Sequence, residues 1–172
     1  MSALYYDVIE TPFGWMGLLV SPAGLRRTTL PQAEPDGCAR LLGREAAIAE
    51  HNPERFEALA LRLDSYFNGG AAALADEPIA IDDATRFTRA AWLACQSIPL
   101  GETRSYGWLA ARAGSPNASR AAGQAMARNR LPIVVPCHRV IAGDGGLRGF
   151  GEGAAQLDLK RRLLDLEATA KR

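Results

Sequence analysis

Charge is divided along the length of this chain, and no other property of the sequence constrains its architecture so strongly. Residues 1–85 carry 6 Lys and Arg against 13 Asp and Glu, a balance of −7, whereas residues 86–172 carry 14 against 6, a balance of +8. The formal net charge of +1 conceals this division. It predicts an acidic N-terminal unit and a basic C-terminal unit, the second being the candidate for contact with a polyanion. On charge alone, the alternative of two merely solvated faces stays open. A hydrophobic fraction of 48% with 23% charged residues supports a packed core and excludes disordered or fibrous composition. The longest apolar run, Trp15 to Val20, is interrupted by Gly17 and falls far short of the roughly 18 residues of a membrane span. No basic segment followed by an apolar stretch opens the chain, so the expectation is a cytoplasmic protein. Cys38, Cys95 and Cys137 are odd in number and widely spaced, which argues for reduced thiols and against a disulfide framework or a CxxC metal site.

The acidic half begins with three expected strands, Tyr5–Glu10, Trp15–Val20 and Leu25–Leu30, separated by Thr11-Pro12-Phe13-Gly14 and Ser21-Pro22-Ala23-Gly24 and arranged as an antiparallel meander. Asn52 with Pro53 marks a helix start, and Phe56, Leu59, Ala60, Leu63 and Phe67 then recur on one face until Asn68-Gly69-Gly70. The stretch from Ala71 to Ala84 reads as a connector, which places the domains at 1–84 and 85–172. The basic half is mostly helical. Thr85 caps a helix to Gln96, with Phe87, Ala91 and Cys95 on one side, and Ser105 caps a second from Tyr106 to Ala113. Gly114, Ser115 and Pro116 separate that helix from a third ending near Arg128, a pattern suggesting a helix-turn-helix. Its Ala and Gly content would admit close approach to another helix or to a nucleic-acid groove. Pro132 to Pro136 reads as a short buried strand leading into Cys137, and a Gly-rich loop precedes a last helix with Leu159, Leu163, Leu166 and Ala170 on one face. The expected class is therefore α+β, an N-terminal antiparallel sheet with a helix followed by a helical domain.

Cys137 alone could be an inert small hydrophobe. Its neighbours change the reading: Pro136 fixes the chain, His138 supplies a base, and Arg139 adds positive charge that favours a thiolate. Consecutive residues of an extended chain face opposite ways, so an imidazole-to-sulfur interaction needs a turn or a bridging water.

Pro136-Cys137-His138-Arg139-Val140 resembles the active-site signature of the O6-alkylguanine-DNA alkyltransferases, the methylated-DNA–protein-cysteine methyltransferases. Ile98 to Gly107, Ser119-Arg120-Ala121-Ala122-Gly123 and Asn129 follow the family's order and spacing, and Thr11 to Gly14 and Leu63 to Gly69 resemble its N-terminal domain more loosely. The resemblance covers essentially the whole chain. It implies a ribonuclease H-like N-terminal domain and a C-terminal domain that binds double-stranded DNA containing O6-alkylguanine through the minor groove. Cys137 would take the alkyl group irreversibly, once per molecule. His138, through a water, would accept the thiol proton, and Glu167 would orient that imidazole. Tyr106 would donate to N3 of the flipped guanine, and Asn129 would tie the recognition helix to the Cys137 segment.

By the same resemblance Ser119, Ala121, Ala122 and Gly123 would form the small groove-facing surface, with Arg139 also at the DNA and Arg120 filling the space left by the extruded nucleotide. Met126, Pro132, Val140, Phe150 and Gly151 would line the base pocket. From the residues alone, Tyr106 is an ordinary helix-start aromatic, Glu167 a surface carboxylate and Arg120 a phosphate contact. No cofactor is implied, and the residues lack a Cys and His cluster suited to the zinc that some family members hold. The implied protein is a monomer without membrane contact, able to assemble cooperatively on DNA. One departure concerns the loop before the last helix: Phe150 and Leu157 are seven apart, about three more than the family's usual spacing, which predicts a more open pocket. Two rivals remain at this point, a Cys/His hydrolase that turns over many times and a noncatalytic helix-turn-helix regulator.

Overall fold

The computed structural model describes residues 3–147 and 154–170. Their contacts separate into two compact units, one comprising 3–81 with 130–134, the other 82–129 with 135–170. The segment 130–134 therefore groups with the first unit although it lies far along the chain.

The first unit is built on a sheet of β1 (Tyr5–Thr11), β2 (Gly14–Ser21), β3 (Gly24–Thr28) and, beyond the helix α1 (Pro35–Leu41), β4 (Glu50–His51). The strand order is β3-β2-β1-β4. The first three strands form the expected meander, with Val8 opposite Gly17 and Leu18 opposite Thr28. The sheet as a whole is mixed, not antiparallel, because β4 pairs parallel to β1 with Tyr6 opposite His51. A parallel neighbour requires a crossover, and the segment containing α1 supplies it. β2 is central and buried from Met16 to Leu19, so its sequence reads as a continuous apolar run instead of an alternation. Gly17 sits inside that run because a Cβ there would lie 2.9 Å from Leu42 Cδ1, where the chain leaving α1 packs on the strand. Residues 53–56 form a 3-10 turn before α2 (Glu57–Phe67), and Asn52 makes no side-chain cap bond. The expected packing face of α2 is present in Leu59, Leu63 and Phe67.

The second unit contains α3 (Arg86–Gln96), β5 (Arg104–Ser105), α4 (Tyr106–Arg112), α5 (Ser119–Ala127), β6 (Val140–Ile141) and α6 (Ala154–Ala168). Thr85 Oγ1 accepts from Thr88 N at 3.2 Å, and Ser105 Oγ from Trp108 N at 3.0 Å, so both expected N-caps form. Gly114, at φ +92°, ends the turn after α4. Pro116 and Asn117 belong to a turn in which Ala118 N donates to Ser115 O at 2.9 Å, which delays the start of α5 to Ser119. Trp92 Nε1 donates to Ala125 O at 2.9 Å and ties α3 to α5, while α4 packs on both.

The expected strand from Pro132 to Pro136 does not form. The whole stretch Leu131–Val140 is buried, but Ile133 has φ +74°, a left-handed conformation that turns the chain and prevents an extended run. In the first unit Thr28 holds this turn, its N–H donating to Arg130 O at 2.9 Å and its Oγ1 to Pro132 O at 2.8 Å. Residues 148–153, which include Phe150, Gly151 and most of the longer loop, lie outside the described residues.

Candidate active site

Cys137 opens a single 3-10 turn, Cys137–Arg139, entered from Pro136 and closed by Val140 N donating to Cys137 O. Three residues per turn rotate successive side chains by about 120°, so the turn removes the obstacle that an extended chain would place between Cys137 and His138. Two-residue pairing of β5 with β6, Arg104 opposite Val140 and Ser105 opposite Ile141, then brings the start of α4 and Tyr106 next to the exit of that turn.

Cys137 is 8% exposed and His138 fully buried. Glu167, on the inner face of α6, accepts from His138 Nε2 at 2.6 Å through Oε1. The same carboxylate receives a bidentate Arg139 guanidinium, Nε to Oε2 and Nη2 to Oε1, both at 2.9 Å. Arg139 Nη1 also donates to Ile98 O at 2.6 Å. Arg139, expected at the DNA, is thus a buried partner of Glu167 with its side chain largely withdrawn from the surface. An ionised buried carboxylate requires a compensating charge, and the Arg139 guanidinium supplies one within hydrogen-bond reach.

The electrostatics assign protons. Burial pushes the Glu167 carboxyl up, but its bonds to His138 and Arg139 outweigh this and bring it down to about 2. Burial is the largest influence on His138 and pushes it below the ordinary imidazole value, despite the pull of Glu167 in the other direction. His138 is therefore neutral near pH 7, with the Nε2 proton donated to Glu167 and Nδ1 as the basic nitrogen. Burial also pushes the Cys137 thiol up, against opposing effects from the Asn129 side chain, Lys160 and the backbone amides of Cys137 and His138. A resting thiol of this kind needs a base to react, and the neighbouring imidazole is in the protonation state to act as one. Asn129 Nδ2 also donates to Val135 O at 2.8 Å, linking the end of α5 to the Cys137 segment.

Lys160 was not expected here. It is 1% exposed, donates from Nζ to Val140 O at 2.8 Å, and is lowered to about 8 by burial, with opposing contributions from Cys137 and Cys95. Its position was legible: Lys160, Leu163 and Glu167 fall on one face of α6 at helical spacing. Cys95, also buried, has its thiol raised well above the ordinary value by burial first and by Cys137 second.

A cavity of about 760 Å³ has Ser105, Tyr106, Ser119, Arg120, Gly123 and Gln124 among its lining residues, together with Gly107, Ala127, Ala142 and Gly143. Of the residues expected at DNA, Ser119, Arg120 and Ala121 are exposed on α5 and Gly123 is half-buried. Ala122 is fully buried and faces the core, because it lies on the side of α5 that also buries Ala125 and Met126. Met126 and Val140 are buried and outside this cavity's lining, and Pro132 belongs to the first unit. Among the described residues no group of three or more His, Cys, Asp or Glu side chains is disposed to hold a metal ion.

Three comparisons bear on this site. A family model described as 6-O-methylguanine DNA methyltransferase, DNA binding domain, matches residues 86–169. A methylated-DNA–protein-cysteine methyltransferase of Methanosarcina acetivorans is 36% identical across 96% of this chain and 99% of its own length. The crystal structure of the Mycobacterium tuberculosis O6-methylguanine methyltransferase is similar with a TM-score of 0.76 at 30% identity, covering 98% of this chain and 95% of that one. The Mycobacterium tuberculosis OGT in complex with DNA also has a TM-score of 0.76, at 32% identity over 95% of this chain and 92% of the other.

Proposed function

The chain belongs to the methylated-DNA–protein-cysteine methyltransferases, which transfer alkyl groups from damaged DNA to a cysteine of their own, and from that premise we propose that Cys137 is the acceptor and His138 with Glu167 its proton relay. The observation that carries this reading is the buried alignment of the Cys137 turn, the His138 imidazole and the Glu167 carboxylate at 2.6 Å. The thiol proton passes to His138 Nδ1 through a water. The sulfur attacks the alkyl carbon, the bond from that carbon to guanine O6 breaks, and its electron pair stays on the base. Tyr106, at the cavity, donates toward N3 as this charge develops, and the proton lost by sulfur is restored to the departing guanine. The thioether left on Cys137 has no ready leaving group, so each molecule reacts once.

In this reading α4 and α5 form a helix-turn-helix whose second helix enters the minor groove, where short side chains admit close approach. Arg120, exposed at the start of α5 and beside the cavity, occupies the space of the extruded nucleotide. Residues 85–172 carry the chemistry and the DNA contacts, and 1–84 form a ribonuclease H-like structural domain. The protein acts as a cytoplasmic monomer that can assemble cooperatively on DNA.

Intact-protein mass spectrometry after mixing with duplex O6-methylguanine DNA tests the assignment. One methyl group per molecule is expected on Cys137, in proportion to lesion supplied, with buried Cys38 and Cys95 unmodified. Product formation beyond one equivalent would identify a hydrolase, and methylation elsewhere would remove Cys137 from the mechanism.

A further inference from the structure

The mechanism leaves one cavity-lining side chain of α5 without a role. Arg120 and Gln124 stand one turn apart, so they share a helix face, and both are exposed and line the cavity with Tyr106. A Cβ added to Gly123 would lie 3.8 Å from Tyr106 Cδ1, so the Tyr106 ring lies against the α5 backbone immediately beside Gln124. The other α5 residues at the cavity are Ser119, Gly123 and Ala127, whose side chains are too short to reach past the helix surface. Gln124 is long and uncharged. Its Oε1 accepts and its Nε2 donates, whereas Arg120 only donates.

That chemistry corresponds to one difference between base pairs in the minor groove. Every pair presents acceptors there, purine N3 or pyrimidine O2, and only G·C adds a donor, the guanine N2 amino group. A side chain restricted to donors cannot respond to that amino group, but a carboxamide can accept from it and donate to the neighbouring N3. Gln124 follows Arg120 by roughly 6 Å along the helix axis, within one or two base steps of whatever Arg120 replaces. We propose that Gln124 is a specificity-determining residue that reads the base pair flanking the extruded nucleotide and favours G·C through the guanine N2 amino group. The proposal rests on the reading of α5 as the minor-groove helix.

The test is single-turnover methyl transfer to Cys137 from duplexes identical except for the pair flanking the lesion on each side in turn: G·C, inosine·C or A·T. Inosine removes only the minor-groove amino group. The unaltered protein is expected to react about fivefold faster beside G·C than beside inosine·C on one side, the scale of one neutral hydrogen bond. In Gln124→Met, which keeps the length without the amide, and in Gln124→Ala, that ratio falls to about one. Because the readout is a ratio within each variant, a general loss of activity does not imitate it. Equal rates on G·C and inosine·C in the unaltered protein, or a ratio that survives in both variants, overturns the proposal. A uniform slowing of the variants on all duplexes, with the ratio intact, means a phosphate or sugar contact and overturns it equally. The underlying groove reading fails by a separate result, Arg120→Ala slowing transfer from free O6-benzylguanine as much as transfer from duplex.

Discussion

Glu167 shows how one carboxylate can serve both chemistry and stability. It fixes the tautomer of His138 through Oε1, and Arg139 neutralises it from the side. Replacing it by Gln keeps the shape but weakens the pull on the imidazole. Glu167→Gln and His138→Ala are each expected to lower the transfer rate by roughly 10²-fold while leaving affinity for duplex largely intact, measured by single-turnover transfer and by titration of unreactive DNA. The same carboxyl links folding to pH. Its native value is about 2 against an ordinary 4.5, so between these limits the unfolded chain binds more protons than the native one. Its contribution to stability is therefore complete above about 4.5 and is lost as pH falls toward 2. Urea unfolding at pH 5 and pH 3 should show a smaller loss in Glu167→Gln than in the unaltered protein, although that variant starts less stable because Arg139 is left without its anion. An equal loss in both would mean that other carboxyls govern the acid side.

At the scale of elements, close packing of α1 on the sheet depends on the missing side chain at Gly17. An added Cβ would meet Leu42 Cγ and Cδ1 at 2.9 Å, and Leu42 is fully buried with nowhere to retreat. Gly17→Ala should destabilise the protein by about 1–3 kcal/mol in chemical denaturation, the usual scale of overpacking, and no loss would show that this packing can shift freely. Gly17 was visible in the sequence only as a break in an apolar run, since Leu42 is distant along the chain. Several features encoded within a few residues were read correctly, among them the Thr85 and Ser105 caps and the β1-β2-β3 meander, whereas the cap expected of Asn52 does not form. Features that depend on tertiary partners were not. α1 has seven residues with Pro35 at its start, and β4 has two, too few for either to show a period. The run from Pro132 to Pro136 is apolar enough for a strand, but no pattern in it signals φ +74° at Ile133. Arg139 beside a reactive cysteine reads as positive charge for the thiolate and, by resemblance, as a residue at the DNA until its partner, 28 residues away, is seen to be buried with it.

The charge division acts on the whole molecule. With a balance of +8 over residues 86–172, binding to undamaged duplex should weaken as salt rises, by release of counterions from phosphate, and salt-insensitive binding would mean that the basic half does not face the backbone. The division of charge near residue 85 does not coincide with the division of contacts. The first unit includes 130–134, a stretch that the chain visits between the end of α5 and Cys137. Leu131, Ile133 and Val134 are at most 2% exposed, and Arg130 and Pro132 receive Thr28 through its amide and hydroxyl. A fragment of residues 85–172 would carry every residue proposed for the chemistry yet leave those three apolar side chains uncovered and the Ile133 turn unsupported. Because Asn129 and Val135 flank that turn, its loss would also release the segment that delivers Cys137. The fragment is therefore expected to unfold at lower urea than the full chain and to methylate Cys137 more slowly, by at least tenfold, an order set by how steeply reactivity falls when a reacting group is misplaced by about 1 Å. A fragment with full stability and full rate would mean that the turn at Ile133 forms without Thr28, and that the first unit is dispensable to the site.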